Sequence, residues 1–579
     1  MNRNSVLGRW GRIILRMKRS FLNDGLSWPQ RLVSAPVENV ADSTRVLVAT
    51  SVAGHLTALN LESLLAKALT MRGGDVAALL CDRALPACMD CQHLIYPTRG
   101  ARKSFVRHGP VELCMSCTRV GVRIYGDLGV PVLLYGQYLS AQDRDEAKRI
   151  ASQSHFDDIP NFEHEGLAVG EHAYAGALRF FARGDIEGEP LAEEIVRRYF
   201  EAALLTVFMM RNLLKVKRFD VCVVNHGIYV PQGLIAEVCR EQGVRVVTWN
   251  PAYRMNCFIF SHGVTYHHTL MTEPVTNWED MRWNEEIESE LMRYLNSRLE
   301  GDCDWIWFHD KPQFDLSAIQ QELGIDFSRP TIGLLTNVIW DAQVHYPANA
   351  FSEIIEWIME TISWFSRHPE LQLVIRVHPA EIRGALPSRQ RVVEEITKYF
   401  PQLPKNVFVI PPESHASTYA VMAQCDSVII YGTKTGVELT SMGIPVIVAG
   451  EAWIRNKGVT LDVSSIDEYF HLLGRLPLGE RMASDKIKRA RKYAYHFFFR
   501  RMIPLPFMKP RKGWPSFAPE LNSADQLLPD NFGGLDVICD GILKGSEFIY
   551  PAEAHVNANS IVHSPCPAGP LTSVKRSAP

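Results

Sequence analysis

Cys425-Asp-Ser-Val-Ile-Ile-Tyr-Gly-Thr-Lys-Thr-Gly-Val-Glu-Leu-Thr-Ser-Met-Gly-Ile-Pro-Val-Ile-Val448 is the stretch from which the fold can be read. Ser427–Ile430 is short and β-branched, and it lacks the polar alternation of a strand with one wet face. It runs into Tyr431–Gly436, a helix opens near Val437, and Pro445–Val448 follows as a second apolar run. Strand, loop, helix, strand is a parallel crossover, and strands apolar throughout are covered on both faces. Upstream, Thr331–Leu335, Leu371–Arg376 and Val407–Ile410 repeat the pattern, with helices expected over Phe351–Phe365 and Ser417–Gln424. Arg45–Thr50, Asp75–Cys81, Asp220–Asn225 and Val244–Trp249 do the same nearer the N-terminus, around helices at Leu59–Arg72 and Leu191–Val216. The expectation is an α/β protein of two doubly wound, Rossmann-like domains, 45–277 and 330–480, joined by an acid-rich connection over 278–329. A basic extension (1–44), a helical segment (481–550) and a disordered Pro/Ser/Ala-rich tail (551–579) complete the expected organisation. Tandem domains of this kind place a cleft at the carboxyl ends of their strands, where open α/β sheets bind ligands.

Composition narrows the classes. Of 579 residues, 46% are hydrophobic and 22% charged, enough for large cores. Lys+Arg 61 against Asp+Glu 64 leaves a net charge of −3, so no nucleic-acid partner is expected. Twelve cysteines are too sparse for a disulfide scaffold. No apolar run approaches the roughly 18–20 residues that span a bilayer. These features predict a cytoplasmic protein. At its N-terminus, Val6, Leu7, Trp10, Ile13, Ile14, Met17 and Phe21 form a helical stripe flanked by basic residues. That pattern suits peripheral contact with an anionic membrane, or docking onto the rest of the chain.

Several groups could carry chemistry. Leu371-Gln-Leu-Val-Ile-Arg-Val-His-Pro-Ala-Glu381 ends a buried strand in Arg376 and presents His378 in a turn stiffened by Pro379, a pairing suited to phosphate or carboxylate. In Gly432–Gly436, glycine admits a close backbone approach, and Thr433, Lys434, Thr435 and Gly436 offer hydroxyls, a cation and N–H groups to an anion. Glu438, in the first helical turn, could accept from a sugar or ribose hydroxyl; capping by Thr433 or Thr435 would explain the segment equally. Asn337 and Asp341 follow the first strand of the second domain, as a phosphate contact and as a polar contact or base. His55, after the first strand of the chain, suits a general base, and Asn225-His226-Gly227 offers a second candidate.

Taken together, the strand ending R-V-H-P and the later G-T-K-T-G-V-E and G-I-P-V-I-V resemble the donor-binding domain of GT-B glycosyltransferases. More narrowly, they are similar to the capsule polysaccharide biosynthesis family, which includes capsular Kdo transferases. The resemblance covers 331–469 and the N-terminal half in outline; Gly450–Thr460 looks like the loop after the family's last nucleotide-side strand. It implies a GT-B-like fold and a nucleotide-sugar donor whose phosphate is bound by His378 and the Thr433–Thr435 loop, with Glu438 on the ribose or sugar; the residue reading adds Asn337, Arg376 and Gly436 to that donor site. It also implies a glycan or lipid-linked acceptor facing the His55 loop, while Asp341 stays a polar contact, a base or the cap of the next helix. A non-catalytic polysaccharide-binding or export protein, a CDP-glycerol-type transferase and a sugar-nucleotide epimerase remain alternatives.

Two further patterns stand apart. Cys88-x-x-Cys91 and Cys114-x-x-Cys117, 22 residues apart in a Cys-rich insertion (81–117), have the spacing of a structural zinc site. An iron–sulfur cluster, buried thiols and a redox pair are the alternatives. Lys486–Lys512 mixes Lys488, Arg489, Arg491, Lys492, Arg500 and Arg501 with Tyr493, Tyr495 and Phe497–Phe499. Single-stranded nucleic acid or lipid could account for that mixture, but a segment crossing back onto the first domain is the preferred reading.

Overall fold

The computed structural model describes residues 28–32, 43–300, 304, 312–341, 348–511 and 516–556. The amphipathic stretch around Trp10 and the tail from 557 lie outside them. No helix among the described residues is long and apolar enough to cross a membrane.

The first sheet contains β1 (Arg45–Ser51), β2 (Asp75–Leu80), β3 (Val132–Leu134), β4 (Val221–Asn225), β5 (Arg245–Pro251) and β6 (Cys257–His262). The second contains β7 (Thr331–Leu335), β8 (Gln372–Arg376), β9 (Val407–Ile410), β10 (Ser427–Ile430), β11 (Val446–Val448) and β12 (Leu461–Asp462). A late strand, β13 (Ile503–Pro504), extends the first sheet, giving the orders β13-β6-β5-β4-β1-β2-β3 and β12-β11-β10-β7-β8-β9. Strands β1–β5 are parallel, as are β7–β12. In both sheets the order reverses beside the first strand, between β1 and β4 and between β7 and β10. The expected α/β, GT-B-like architecture is the one observed.

Alternate side chains of each strand enter opposite cores. Leu47, Ala49 and Leu79 face one side of the first sheet, and Val46, Val48, Ala78 and Leu80 the other. Val428 and Ile430 oppose Ile429 in the same way across the second. Both faces are therefore covered, which is why the strands lack polar alternation.

The acid-rich stretch packs into the second of these units. Ile287, Leu291 and Leu295 of the helix Glu285–Glu300 share a core with Val428, Val446 and Val448. Its acids meet the basic helix Ser484–Tyr495, through Arg489 with Glu279 and Arg491 with Glu288. Tyr493, Tyr495 and Phe497–Phe499 are buried. The chain then returns to the first sheet through β13, and Leu535, Ile538 and Ile542 of the helix Gly533–Lys544 cover it. Arg245 donates to the carbonyls of Gly541 (2.8 Å) and Ile542 (2.6 Å) near that helix's C-terminus, where a cation is favoured. The basic and aromatic residues of 486–501 are thus largely engaged in holding this crossing.

Candidate active site

The two switch points face each other across a cleft of about 780 Å³, within the range of small-ligand sites. On the second-domain wall, three loops are tied together. Thr336 Oγ1, after β7, accepts the His378 N–H at 3.0 Å. Asn337 Oδ1 accepts the Gly432 N–H at 3.3 Å, joining the β7 and β10 loops. A Cβ at Gly432 would lie 3.2 Å from the Glu451 carbonyl oxygen, so the approach of these loops favours glycine. His378 Nδ1 accepts the Ala380 N–H at 3.1 Å, which assigns the ring proton to Nε2 and makes that atom a donor. The hydroxyls of Thr433 and Thr435 are 3.2 Å apart. Asn337, His378, Thr433 and Thr435 are therefore brought onto one wall.

Other expected donor residues are differently engaged. Arg376 is 2% exposed and donates to the carbonyls of Pro411 and Ser414 and to Thr418 Oγ1, so its guanidinium braces the 411–418 loop. Burial lowers its pKa to about 10. Glu438 does not line the cleft; it accepts from Arg298, from Lys434 Nζ at 3.1 Å and from Tyr419 OH at 2.9 Å. Burial pushes its pKa up, but Arg298 and Lys434 overcome this and hold it below the ordinary carboxylate value. The expected sugar or ribose contact is corrected on this ground, since the carboxylate is already occupied inside the protein. Lys434 is shared between Glu438 and the ring of Tyr253, 4.6 Å from its centroid. Gly436 serves packing: a Cβ there would come within 2.6 Å of Ile430 and 2.9 Å of Ile454.

The first-domain wall is built from the loops after β1 and β4. His55 immediately precedes the helix Leu56–Met71 and lines the cleft. His226 and Gly227 adopt left-handed backbone conformations (φ 35° and 73°), which turn the β4 loop sharply. His226 Nδ1 accepts the Ile228 N–H at 3.2 Å, so the proton resides on Nε2. Burial, with His55 and Arg179 nearby, lowers its pKa to about 3. A neutral imidazole presenting N–H to the cleft is a donor, which removes His226 as the alternative base. Tyr229 OH crosses the cleft to donate to Asp341 Oδ1 at 2.7 Å. Tyr253, His267, Glu451 and Trp453 complete a further edge. Burial works against ionisation of Glu451, but hydrogen bonds from His268 and the Ala348 N–H keep its pKa below the ordinary carboxylate value.

The cysteines lie behind this wall. Cys88 and Cys117 pack against Val52, Met89, Ile228 and Tyr229, and Cys117 Sγ accepts the Gly54 N–H at 3.1 Å. The sulfurs of Cys88 and Cys91 are 3.9 Å apart, while Cys114 and Cys117 sit within the helix Val111–Asp127 rather than on a knuckle. Among the described residues, no three His, Cys, Asp or Glu side chains are grouped to hold a metal ion. The tetrahedral four-cysteine zinc arrangement expected from the spacing is therefore not assembled. Burial and neighbouring thiols push Cys91, Cys114 and Cys117 above the ordinary thiol pKa.

Some cleft residues carried no recognised signal. Tyr229 follows the singled-out Asn225-His226-Gly227, and its position after β4 was the available clue. Arg179 lies in the last turn of the helix Val169–Phe181, where basic residues are ordinary. Tyr253 and Trp453 come from segments far apart in sequence.

Residues 325–475 match the family described as capsule polysaccharide biosynthesis protein. Comparison with curated proteins found no match. Similar solved structures include the KpsC β-Kdo 2,4-transferase of Thermosulfurimonas dismutans, at 13% identity over 48% of this chain and 79% of that chain (TM-score 0.32). The UDP-GlcNAc 2-epimerase of Neisseria meningitidis, bound to UDP-GlcNAc, shares 10% identity over 78% of this chain and 97% of its own (TM-score 0.23).

Proposed function

We propose that this chain is a glycosyltransferase of capsular or surface polysaccharide synthesis, moving a sugar from a nucleotide-activated donor to a glycan or lipid-linked acceptor. The observation that carries the reading is the convergence of Asn337, His378, Thr433 and Thr435 from three loops at a switch point, opposite the His55 and Tyr229 loops. The family of residues 325–475 supports it. The donor's phosphate lies against the second-domain wall. As the bond from the anomeric carbon to the phosphate oxygen breaks, negative charge gathers on the leaving nucleotide. His378 Nε2–H and the two threonine hydroxyls stabilise that charge from fixed positions. Arg376 holds the wall behind them. The acceptor hydroxyl attacks the anomeric carbon and gives its proton to a base, either His55 on the opposite wall or Asp341 where Tyr229 reaches it across the cleft. Tyr229 positions Asp341 by its hydrogen bond to Oδ1. Incubating the full chain with CMP-, UDP- and GDP-sugars, with calorimetry and nucleotide-release assays, tests the proposal. Binding of one nucleotide class and its release with acceptor are expected. Polysaccharide binding with no nucleotide affinity would replace the reading with a non-catalytic accessory role.

A further inference from the structure

Cys88 and Cys91 stand at the two ends of a tight turn. The Cys91 N–H donates to the Cys88 carbonyl at 2.9 Å, Met89 and Asp90 lie between them, and the two sulfurs are 3.9 Å apart. Such a turn keeps its end Cα atoms within about 7 Å, the limit for a disulfide, so side-chain rotation alone can close the sulfurs to about 2 Å. Access differs within the pair: Cys88 is half-buried and Cys91 is 1% exposed. A small oxidant can reach the first thiol, and the second waits behind it to resolve the product. Cys222 and Cys239 also neighbour each other, but both are fully buried between β4 and the helix Gln232–Glu241. The turn is built into the first-domain wall. Met89 lines the cleft and its N–H donates to the Val230 carbonyl at 3.0 Å. Tyr199 shares its O–H between the Cys88 and Cys91 carbonyls, 3.2 Å from each. The Cys88 side chain packs on the cluster that holds Ile228 and Tyr229, and Tyr229 OH donates to Asp341.

We propose that Cys88 and Cys91 are a reversible thiol-oxidation site, whose disulfide draws Cys88 away from Tyr229 and loosens the Tyr229–Asp341 contact across the cleft. The oxidant is a low-molecular-weight disulfide, of which oxidised glutathione is the probe. The Cys88 thiolate attacks one of its sulfurs, breaking that S–S bond and releasing one glutathione thiolate. The Cys91 thiolate then attacks the Cys88 sulfur of the mixed disulfide and displaces the second. Two protein thiols are oxidised, one glutathione disulfide is reduced, and the two protons from the protein thiols end on the two glutathiones. Cys91 is held in the core with Leu85, Ile95 and Tyr96, so closure moves the half-buried Cys88. Burial and the adjacent Cys88 raise the Cys91 thiol above its ordinary pKa. The reduced pair therefore gains no stabilisation as thiolate, which favours the disulfide once it forms.

The test equilibrates the full chain in reduced or oxidised glutathione, alkylates the remaining thiols and maps the cysteines by tandem mass spectrometry. Oxidation should remove two of the twelve cysteine thiols, with Cys88 joined to Cys91, and dithiothreitol should restore both. Hydrogen exchange of the same samples reads the coupling. Amides of 226–231 should exchange roughly threefold faster or more after oxidation, because local opening follows lost packing. Cys91→Ser should stop at a glutathione adduct on Cys88, and in Cys88→Ser the exchange of 226–231 should not respond to oxidised glutathione; unfolding midpoints verify that both variants fold. Free thiols at Cys88 and Cys91 in oxidised glutathione overturn the site, as does pairing of Cys88 with Cys114 or Cys117. Thiols that react only after a chelator removes bound metal overturn it in favour of metal ligation. A Cys88–Cys91 disulfide with unchanged exchange over 226–231 overturns the link to Tyr229. No donor or acceptor enters either readout, so failure here leaves the transferase reading standing.

Discussion

Replacing Glu438 by Gln distinguishes a buried brace from a ligand contact. The carboxylate is 2% exposed and lies between Arg298 and Lys434, with Tyr419 OH on its other oxygen. Glutamine keeps the shape and one acceptor but removes the charge that both cations face. Arg298 retains Asp304, whereas Lys434 loses its paired carboxylate. Breaking a buried ion pair from one side costs about 3–5 kcal/mol. For a unit the size of the second domain, each kcal/mol moves the midpoint by roughly 2–4 °C, so a fall on the order of 10 °C is expected. Thermal unfolding followed by tryptophan fluorescence measures it. Arg298→Met in the same chain should recover part of the loss, because the two residues are coupled. Nucleotide affinity, measured well below the transition, should change by less than about threefold, since Glu438 does not line the cleft. An unchanged midpoint with a tenfold or greater loss of affinity, of order 1.4 kcal/mol, would refute this reasoning and restore Glu438 as a sugar or ribose ligand.

His378→Ala should weaken nucleotide binding by about 1.5–3 kcal/mol, and Thr435→Ala by about 1 kcal/mol, in calorimetric titrations of folded protein. Asp341→Asn should lower turnover by roughly 10²–10⁴-fold while sparing donor affinity; Tyr229→Phe should lower it less. Glu62, whose Oε1 accepts the Trp249 N–H at 2.9 Å, has its pKa raised by burial from 4.5 to about 7. The folded chain then retains a proton that the unfolded chain loses as pH rises through that window, so this group's contribution to stability declines from pH 4.5 to 7. Glu62→Gln should gain stability relative to wild type between pH 5 and pH 8 by denaturant titration; a constant difference would count against it. Trp10→Glu should release the full chain from anionic vesicles in co-sedimentation, and equal pelleting of both proteins would end the membrane proposal.

What was legible in sequence was local. Val428, Ile429 and Ile430 are apolar in an unbroken run because both faces of their strand are covered, and that periodicity needs no partner to be read. The positions of Asn337, His378, Thr433 and His55 beyond strand ends followed from the same crossovers, which is why the cleft could be expected before any contact was known. Side-chain commitments could not be read this way. Arg376 and His378 are two residues apart, yet Arg376 is spent on the carbonyls of Pro411 and Ser414 while His378 presents Nε2–H. Glu438 looked available until Arg298, 140 positions away, closed on it. The two CxxC pairs have metal-site spacing, but spacing sets only each pair's internal reach, and the helix carrying Cys114 and Cys117 sets their direction. Tyr229 meets Asp341 across 112 positions. The strands, the crossovers and the ends at which a site could form are written in local patterns of burial and can be read from residue order alone. Which polar groups there stay available to a ligand is set by long-range packing, because hydrogen bonds and ion pairs are claimed by whichever partner folding brings within about 3 Å.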